Sequence, residues 1–280
     1  MMDGLAMTGL QGVVAPLNFL VPMGEKPVAY NYEPPPGTPL RTAKQETHAV
    51  TVRDARAVAD ALSLDREGFV LLHHRSAVKD FYDADEIRSL HYPETERLIQ
   101  RATGSARVVA FDHIVRNAEK AAIKGSGIKQ PAGRVHNDYT AKSAPQRVRD
   151  LMGDEAEELL KHRYAVINAW RPIRGPLLKS PLALCDAQSL AEENLVPSDL
   201  RYPDRVGETY AVTYNPQQRW FYFPKMQADE VVLIRCFDSA LEGAARFSAH
   251  GAFEDPQSPP DAPPRESIEV RTLVFYGAKA

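Results

Sequence analysis

From residue 164 onward the chain reads as one strand-like segment after another, with no helix-like segment between them, and this constrains the fold more than any other feature. Period-2 alternation or short apolar runs mark 164–170 (YAVINAW), 209–215, 219–223, 230–237 and 267–276, separated by Gly, Pro, Asn and Asp. Helical periodicity is confined to residues 55–62, 92–102 and 145–162, among shorter strand signals at 48–52, 68–72 and 106–114. A parallel, doubly wound sheet needs a crossover helix between successive strands, so this order excludes it. The expectation is a mainly β protein with flanking helices, an antiparallel barrel or jelly roll whose helices pack on one outer face.

No internal repeat and no linker divides the chain, so residues 1–280 are expected to form a single domain. Residues 1–45, with Pro34, Pro35 and Pro36 ahead of Gly37, read as an irregular N-terminal extension. Residues 46–133 read as a helix and strand flank, and residues 134–280 as the main part of the β core.

The hydrophobic fraction of 44% and charged fraction of 25% belong to an ordinary folded chain. A net charge of −3, with basic residues dispersed among acids, gives no field that would gather a phosphate backbone, so nucleic acid is excluded as a partner. No run of about eighteen apolar residues occurs, so no membrane-spanning helix is expected. Asp3 stands where a secretory leader needs Lys or Arg, and the apolar residues to Leu20 are interrupted. The two cysteines, Cys185 and Cys236, have no CxxC spacing, which points to a reducing cytoplasm. A homo-oligomer stays open.

Against this background the segment GRVHNDYT matters, because His136 and Asp138 project from the same side of an extended chain and can reach one ion. By itself HxD is a weak signal. A third ligand on a distant strand would complete two histidines and one carboxylate, a set that leaves coordination positions open. After His162, which sits among charges at the end of an expected helix, the chain has one further histidine, His250, in SAHGAFEDP. The plainer alternative is a turn histidine before Gly251 and a capping Asp138.

Fifteen positions beyond His250, the strand RESIEVRTLVFYG places Arg265, Ser267, Glu269 and Arg271 on one face. Four polar groups cannot face an apolar core unpaired, so they should line a polar interior. Arg265 with Ser267 offers a planar fork and a hydroxyl that suit a carboxylate, with Arg271 as the alternative for the same task. For Glu269 the plainer reading is pairing on a solvated face. Trp220 and Tyr222 read as core aromatics, and His113 as a satisfied core histidine.

Through GRVHNDYT, INAWRPI, PLALCD, RWFYFPKMQADEVVLIRCFDS, SAHGAFEDP and RESIEVRTLVFYG, the second half of the chain resembles the Fe(II)- and 2-oxoglutarate-dependent dioxygenases. Within them it is most similar to the group holding fungal hydroxylases and desaturases of secondary metabolism and the small protein of bacterial cephamycin methoxylation. The resemblance implies a double-stranded β-helix of cupin type. It also implies a reaction with O2 that converts 2-oxoglutarate to succinate and CO2 while hydroxylating or desaturating a small secondary-metabolite or amino-acid-like substrate. His136, Asp138 and His250 match the metal ligands, and Arg265 with Ser267 the cosubstrate anchor. Asn168 is a further candidate for the cosubstrate, and Tyr139, Trp170 and Arg171 for the substrate. Two alternatives carry less: another cupin-type site using Zn or Mn without a ketoacid, and an accessory subunit that binds a methyltransferase or carrier protein.

Overall fold

The computed structural model describes residues 9–123 and 125–277, and its fourteen strands form two sheets. In chain order they are β1 (Gly12–Leu20), β2 (Val28–Tyr30), β3 (Gln45–Asp54), β4 (Phe69–His73), β5 (Arg107–Asn117), β6 (His136–Asn137) and β7 (Tyr164–Pro172). Then follow β8 (Leu182–Cys185), β9 (Leu195–Arg201), β10 (Val206–Val212), β11 (Trp220–Tyr222), β12 (Glu230–Asp238), β13 (His250–Ala252) and β14 (Glu266–Phe275). Nine make a mixed sheet in the order β1-β3-β11-β8-β13-β6-β10-β9-β2, and five make an antiparallel sheet in the order β4-β12-β7-β14-β5. The two pack face to face, because one apolar cluster draws Leu184 and Phe221 from the first and Val166, Ile234 and Leu273 from the second. This is the jelly roll expected from the strand pattern.

The helix Tyr92–Thr103 forms as the sequence indicates, with Pro93 in its first turn and Gly104 closing it at φ +64°. Its Leu98 and Ile99 cover the outer face of the smaller sheet against Ala165, Ile167 and Val274. The helix expected over 145–162 is instead broken at Gly153, whose φ is +53°, into Ser143–Met152 and Ala156–Leu159. Residues 56–61 form a 3-10 helix. Among the described residues no helix is long and apolar enough to cross a membrane.

The N-terminal expectation needs correcting. Residues 1–8, including Asp3, lie outside the described residues, but the rest of the supposed irregular extension contains β1 and β2, both in the larger sheet. Period 2 explains β1: Val13, Ala15, Leu17 and Phe19 are buried, while Pro16 faces outward. Proline is tolerated because β1 is an edge strand with one ladder, to β3. The flank over 46–133 likewise supplies β3, β4 and β5 to the two sheets, so the β core draws on both halves of the chain.

β1 also braces the segment that carries His136. The Val135 amide donates to the Asn18 carbonyl at 2.9 Å, and Asn18 Nδ2 donates to the Gly133 carbonyl at 2.7 Å. Phe19 anchors this edge, fully buried and edge-on to Trp220 and Tyr214. Phe19→Ala is expected to lower stability by about 3–5 kcal/mol. A urea melt checks this: the midpoint should fall with little change in slope, and an unmoved midpoint would show that β1 contributes nothing to the fold.

Candidate metal centre

His136 on β6 and His250 on β13 are direct antiparallel partners, and Asp138 follows His136 by two residues. One potential ligand atom from each of the three lies within 4.8 Å of the others. Pairing at this register requires the strands to run close, and Gly251 permits it, since a Cβ there would stand 2.9 Å from the Arg134 carbonyl oxygen. Each imidazole is oriented from behind. His136 Nδ1 donates to the Arg134 carbonyl at 3.0 Å and His250 Nδ1 to the Ser248 carbonyl at 3.2 Å. With Nδ1 carrying the proton, Nε2 of each ring keeps its lone pair for a metal. Burial, reinforced by His136, pushes the His250 pKa down and so favours the neutral, ligating form.

The carboxylate of Asp138 is divided between two tasks. Its Oδ2 accepts from Asn168 Nδ2 on β7 at 2.8 Å and from Arg271 Nε on β14 at 3.2 Å, while Oδ1 lies 3.5 Å from His136 Nε2. Burial alone would raise its pKa, but the Arg271 guanidinium beside it holds it well below the usual carboxylate range. Two imidazole nitrogens and one carboxylate oxygen are the donor set of a mononuclear non-haem Fe(II) site, and these residues fit it.

Asn168 and Arg271, both candidates for holding a cosubstrate, are hydrogen-bonded to the Asp138 carboxylate. Arg271 is further engaged by Asp112, its cross-strand partner, at 2.7 Å and by Glu269 at 3.7 Å. Those two acids outweigh its burial together with Asp138, and its pKa is held well above normal. Glu269 itself is buried, contrary to the solvated face expected for it.

Arg265 differs in having no carboxylate partner among the described residues. It is 4% exposed, donates Nη1 to the Ser180 carbonyl at 2.8 Å, and leaves Nε without an acceptor. The Ser267 hydroxyl, two positions on, is also buried and unpartnered. Burial, with Arg116 nearby, pushes the Arg265 pKa down to about 9. Trp170 lies with its ring centroid 5.5 Å from the guanidinium carbon, so it packs against Arg265 and is closed to solvent.

Tyr139 is buried beside Asp138 and Arg271 and edge-on to Phe111, and burial raises its pKa to about 12. Arg171 is not at this centre: Asn168 and Trp170 face the interior, and alternation sends Arg171 to the outer face of β7. His113 is only partly buried and shares a 2.8 Å hydrogen bond with the Tyr92 hydroxyl. Trp220 and Tyr222 are core residues as expected.

Three residues were missed in the sequence. Asp112 and Arg116 lie directly across from Arg271 and Ser267 on β5, and the strand signal at 106–114 stops short of Arg116, three residues before β5 ends. Asn137 pins the ligand turn by donating to the carbonyls of Tyr139 at 2.7 Å and Cys236 at 2.8 Å. Its place between two ligands carries no signal of this.

Comparison with known proteins accords with the geometry. The family described as "YDMC: Oxidoreductase/YMDC permease-like domain" matches residues 17–275. The chain is 35% identical to "Hydroxylase/desaturase efuI" of Hormonema carpetanum over 256 residues, covering 83% of this chain and 85% of that protein. It is 34% identical to "Fe(II)/2-oxoglutarate-dependent dioxygenase nvfI" of Aspergillus novofumigatus (strain IBT 16806), over 89% of this chain and 90% of the other. A solved structure of "iron and alpha-ketoglutarate-dependent endoperoxidase NvfI" superposes with a TM-score of 0.86 at 30% identity, covering 95% of this chain and 98% of that one.

If Asn168 and Arg271 orient Asp138, their removal should be felt at the metal. Asn168→Ala and Arg271→Met are each expected to weaken Co(II) binding about ten- to a hundredfold, the usual effect of losing a group that holds a ligand. Titration of the metal's visible absorbance checks this, and wild-type affinity in both variants would refute the role.

Proposed function

Because this chain belongs to the Fe(II)- and 2-oxoglutarate-dependent dioxygenases, we propose that it hydroxylates or desaturates a small molecule at an Fe(II) held by His136, Asp138 and His250. The observation that carries this reading is the pair of buried, unpartnered polar groups, Arg265 Nε just before β14 and the Ser267 hydroxyl within it, both at the parity of Arg271, which grips Asp138. Fe(II) held by these three residues would activate O2, the oxidant, with 2-oxoglutarate as the co-reductant that leaves as succinate and CO2.

The protein's own contribution is orientation and exclusion of water. Arg265 and Ser267 take the far carboxylate of 2-oxoglutarate, with Trp170 closing one side of the guanidinium. Burial makes the uncompensated charge of Arg265 costly until an anion arrives, which favours a carboxylate over water. His136 and His250 each present Nε2, and Arg271 with Asn168 keeps Asp138 ionised and turned so that Oδ1 stays free. Tyr139 is the residue we place nearest the substrate.

A small-molecule substrate of the secondary-metabolite class is supported by the hydroxylase/desaturase relatives. The bracing of the Val135 segment by Asn18 supports β1 and the His136 segment acting within one catalytic unit. Two free, buried cysteines suit the cytoplasm.

Succinate release that requires both Fe(II) and 2-oxoglutarate, with candidate metabolites gaining one oxygen or losing two hydrogens by mass spectrometry, is the expected result. His136→Ala and Asp138→Ala should abolish it; succinate formation undiminished in these variants would sink the proposal. Separately, Arg265→Ala should weaken 2-oxoglutarate binding by about ten- to a hundredfold, the scale of a lost charged hydrogen bond, while sparing Co(II) binding. Unchanged cosubstrate affinity would remove Arg265 from the anchor.

A further inference from the structure

Arg171 sits on the far side of β7 from the metal centre, and its surroundings are unusual for a buried cation. It is 3% exposed, its Nη2 donates to the carbonyls of His74 (3.1 Å) and Ala228, and its Nε and Nη1 have no acceptor. No carboxylate of the described residues lies within 4.0 Å of its nitrogens. Glu94, the acid with the strongest influence on it, is already committed: it accepts from the Ser76 hydroxyl at 2.5 Å and the Ala77 amide at 2.8 Å. Burial without a counter-ion pushes the Arg171 pKa down to about 10.

The guanidinium borders a cavity of about 830 Å³ that contains no triad or anchor residue. Five cations line it, Arg75, Lys79, Lys120, Arg171 and Arg174, against two acids, Asp80 and Asp229. Of the five, Arg174 alone has an ion pair among the described residues, to Glu266 at 3.1 Å. Phe81 lies with its ring 5.6 Å from the Arg171 guanidinium carbon and forms an apolar wall. An excess of unpaired positive charge around a concave space, with one charge desolvated at its edge, is arranged to receive an anion.

We propose that this cavity is a second binding site, separate from the metal centre, for a small molecule bearing a phosphate or carboxylate group. Arg171 supplies the desolvated contact, and Arg75 and Lys79 at the rim supply attraction and closure. The site lies behind the strand that carries Asn168 and Trp170, so its occupant does not share the reaction chamber.

Calorimetric titration of the full, metal-free chain at low salt tests this, with inorganic phosphate in one arm and malonate in the other. Saturable binding of at least one probe is expected at a site that persists in Arg265→Ala, and the better binder at that site identifies the oxyanion. Arg171→Met should weaken that binding by at least about tenfold. The exposed double variant Arg75→Gln/Lys79→Gln should weaken it severalfold, and it decides the matter alone if Arg171→Met does not fold. Arg265→Ala should bind the probe as the wild type does, separating this site from the cosubstrate anchor. The proposal is overturned by absence of saturable binding in both arms, by wild-type binding in the Arg75→Gln/Lys79→Gln variant, or by loss of the binding in Arg265→Ala.

Discussion

Everything at the metal centre depends on how the two sheets share one carboxylate. Asp138 belongs to the larger sheet's side, yet its Oδ2 is held by Asn168 and Arg271 from adjacent strands of the smaller one. That grip serves the fold and the chemistry together. It satisfies a buried acid that would otherwise cost several kcal/mol, on the order typical of uncompensated charges. It also leaves Oδ1 on the side of the histidines, 3.5 Å from His136 Nε2. The geometry works only if β7 and β14 keep their register, since Asn168 and Arg271 are direct cross-strand partners. A one-residue slip of β14 along β7 would turn Arg271 away from Asp138.

The same parity sorts the rest of the interior. Along β14, Ser267, Glu269 and Arg271 face the centre, whereas Ile268 and Val270 pack outward with Phe81 and Ile87. Along β7, Val166, Asn168 and Trp170 face inward, and Ala165, Ile167 and Ala169 lie under the helix Tyr92–Thr103. Arg171 breaks this division as a charged residue on an otherwise apolar outer face. The basic cavity beside it gives that exception a physical context.

Much of the fold was legible because long strands repeat their alternation often enough to be seen: 164–170, 230–237 and 267–276 correspond to β7, β12 and β14. Short strands such as β8 and β13, with four and three residues, contain too little pattern to distinguish from a turn or an apolar loop. β1 was missed for a different reason: Pro16 and Asn18 looked like interruptions until their outward parity was considered. At the site, the HxD spacing and the polar face of β14 were readable locally. Arg171 was also readable in principle, since it neighbours Trp170 and so must lie on the opposite face. Asp112 and Arg116 were not, because their importance arises from cross-strand register.

Sequence parity gives Arg265 and Arg271 the same face and cannot rank them, but charge pairing can. Arg271 meets Asp138 at 3.2 Å, Asp112 at 2.7 Å and Glu269 at 3.7 Å, so its charge is compensated before any ligand arrives. Among the described residues the one hydrogen-bond partner of Arg265 is a backbone carbonyl, and burial, with a second cation, Arg116, nearby, depresses its pKa. An incoming carboxylate would have to compete with three acids at Arg271, whereas at Arg265 it would relieve desolvation and the repulsion between two arginines. The electrostatics of this interior thus support assigning the metal carboxylate to one arginine and the cosubstrate to the other.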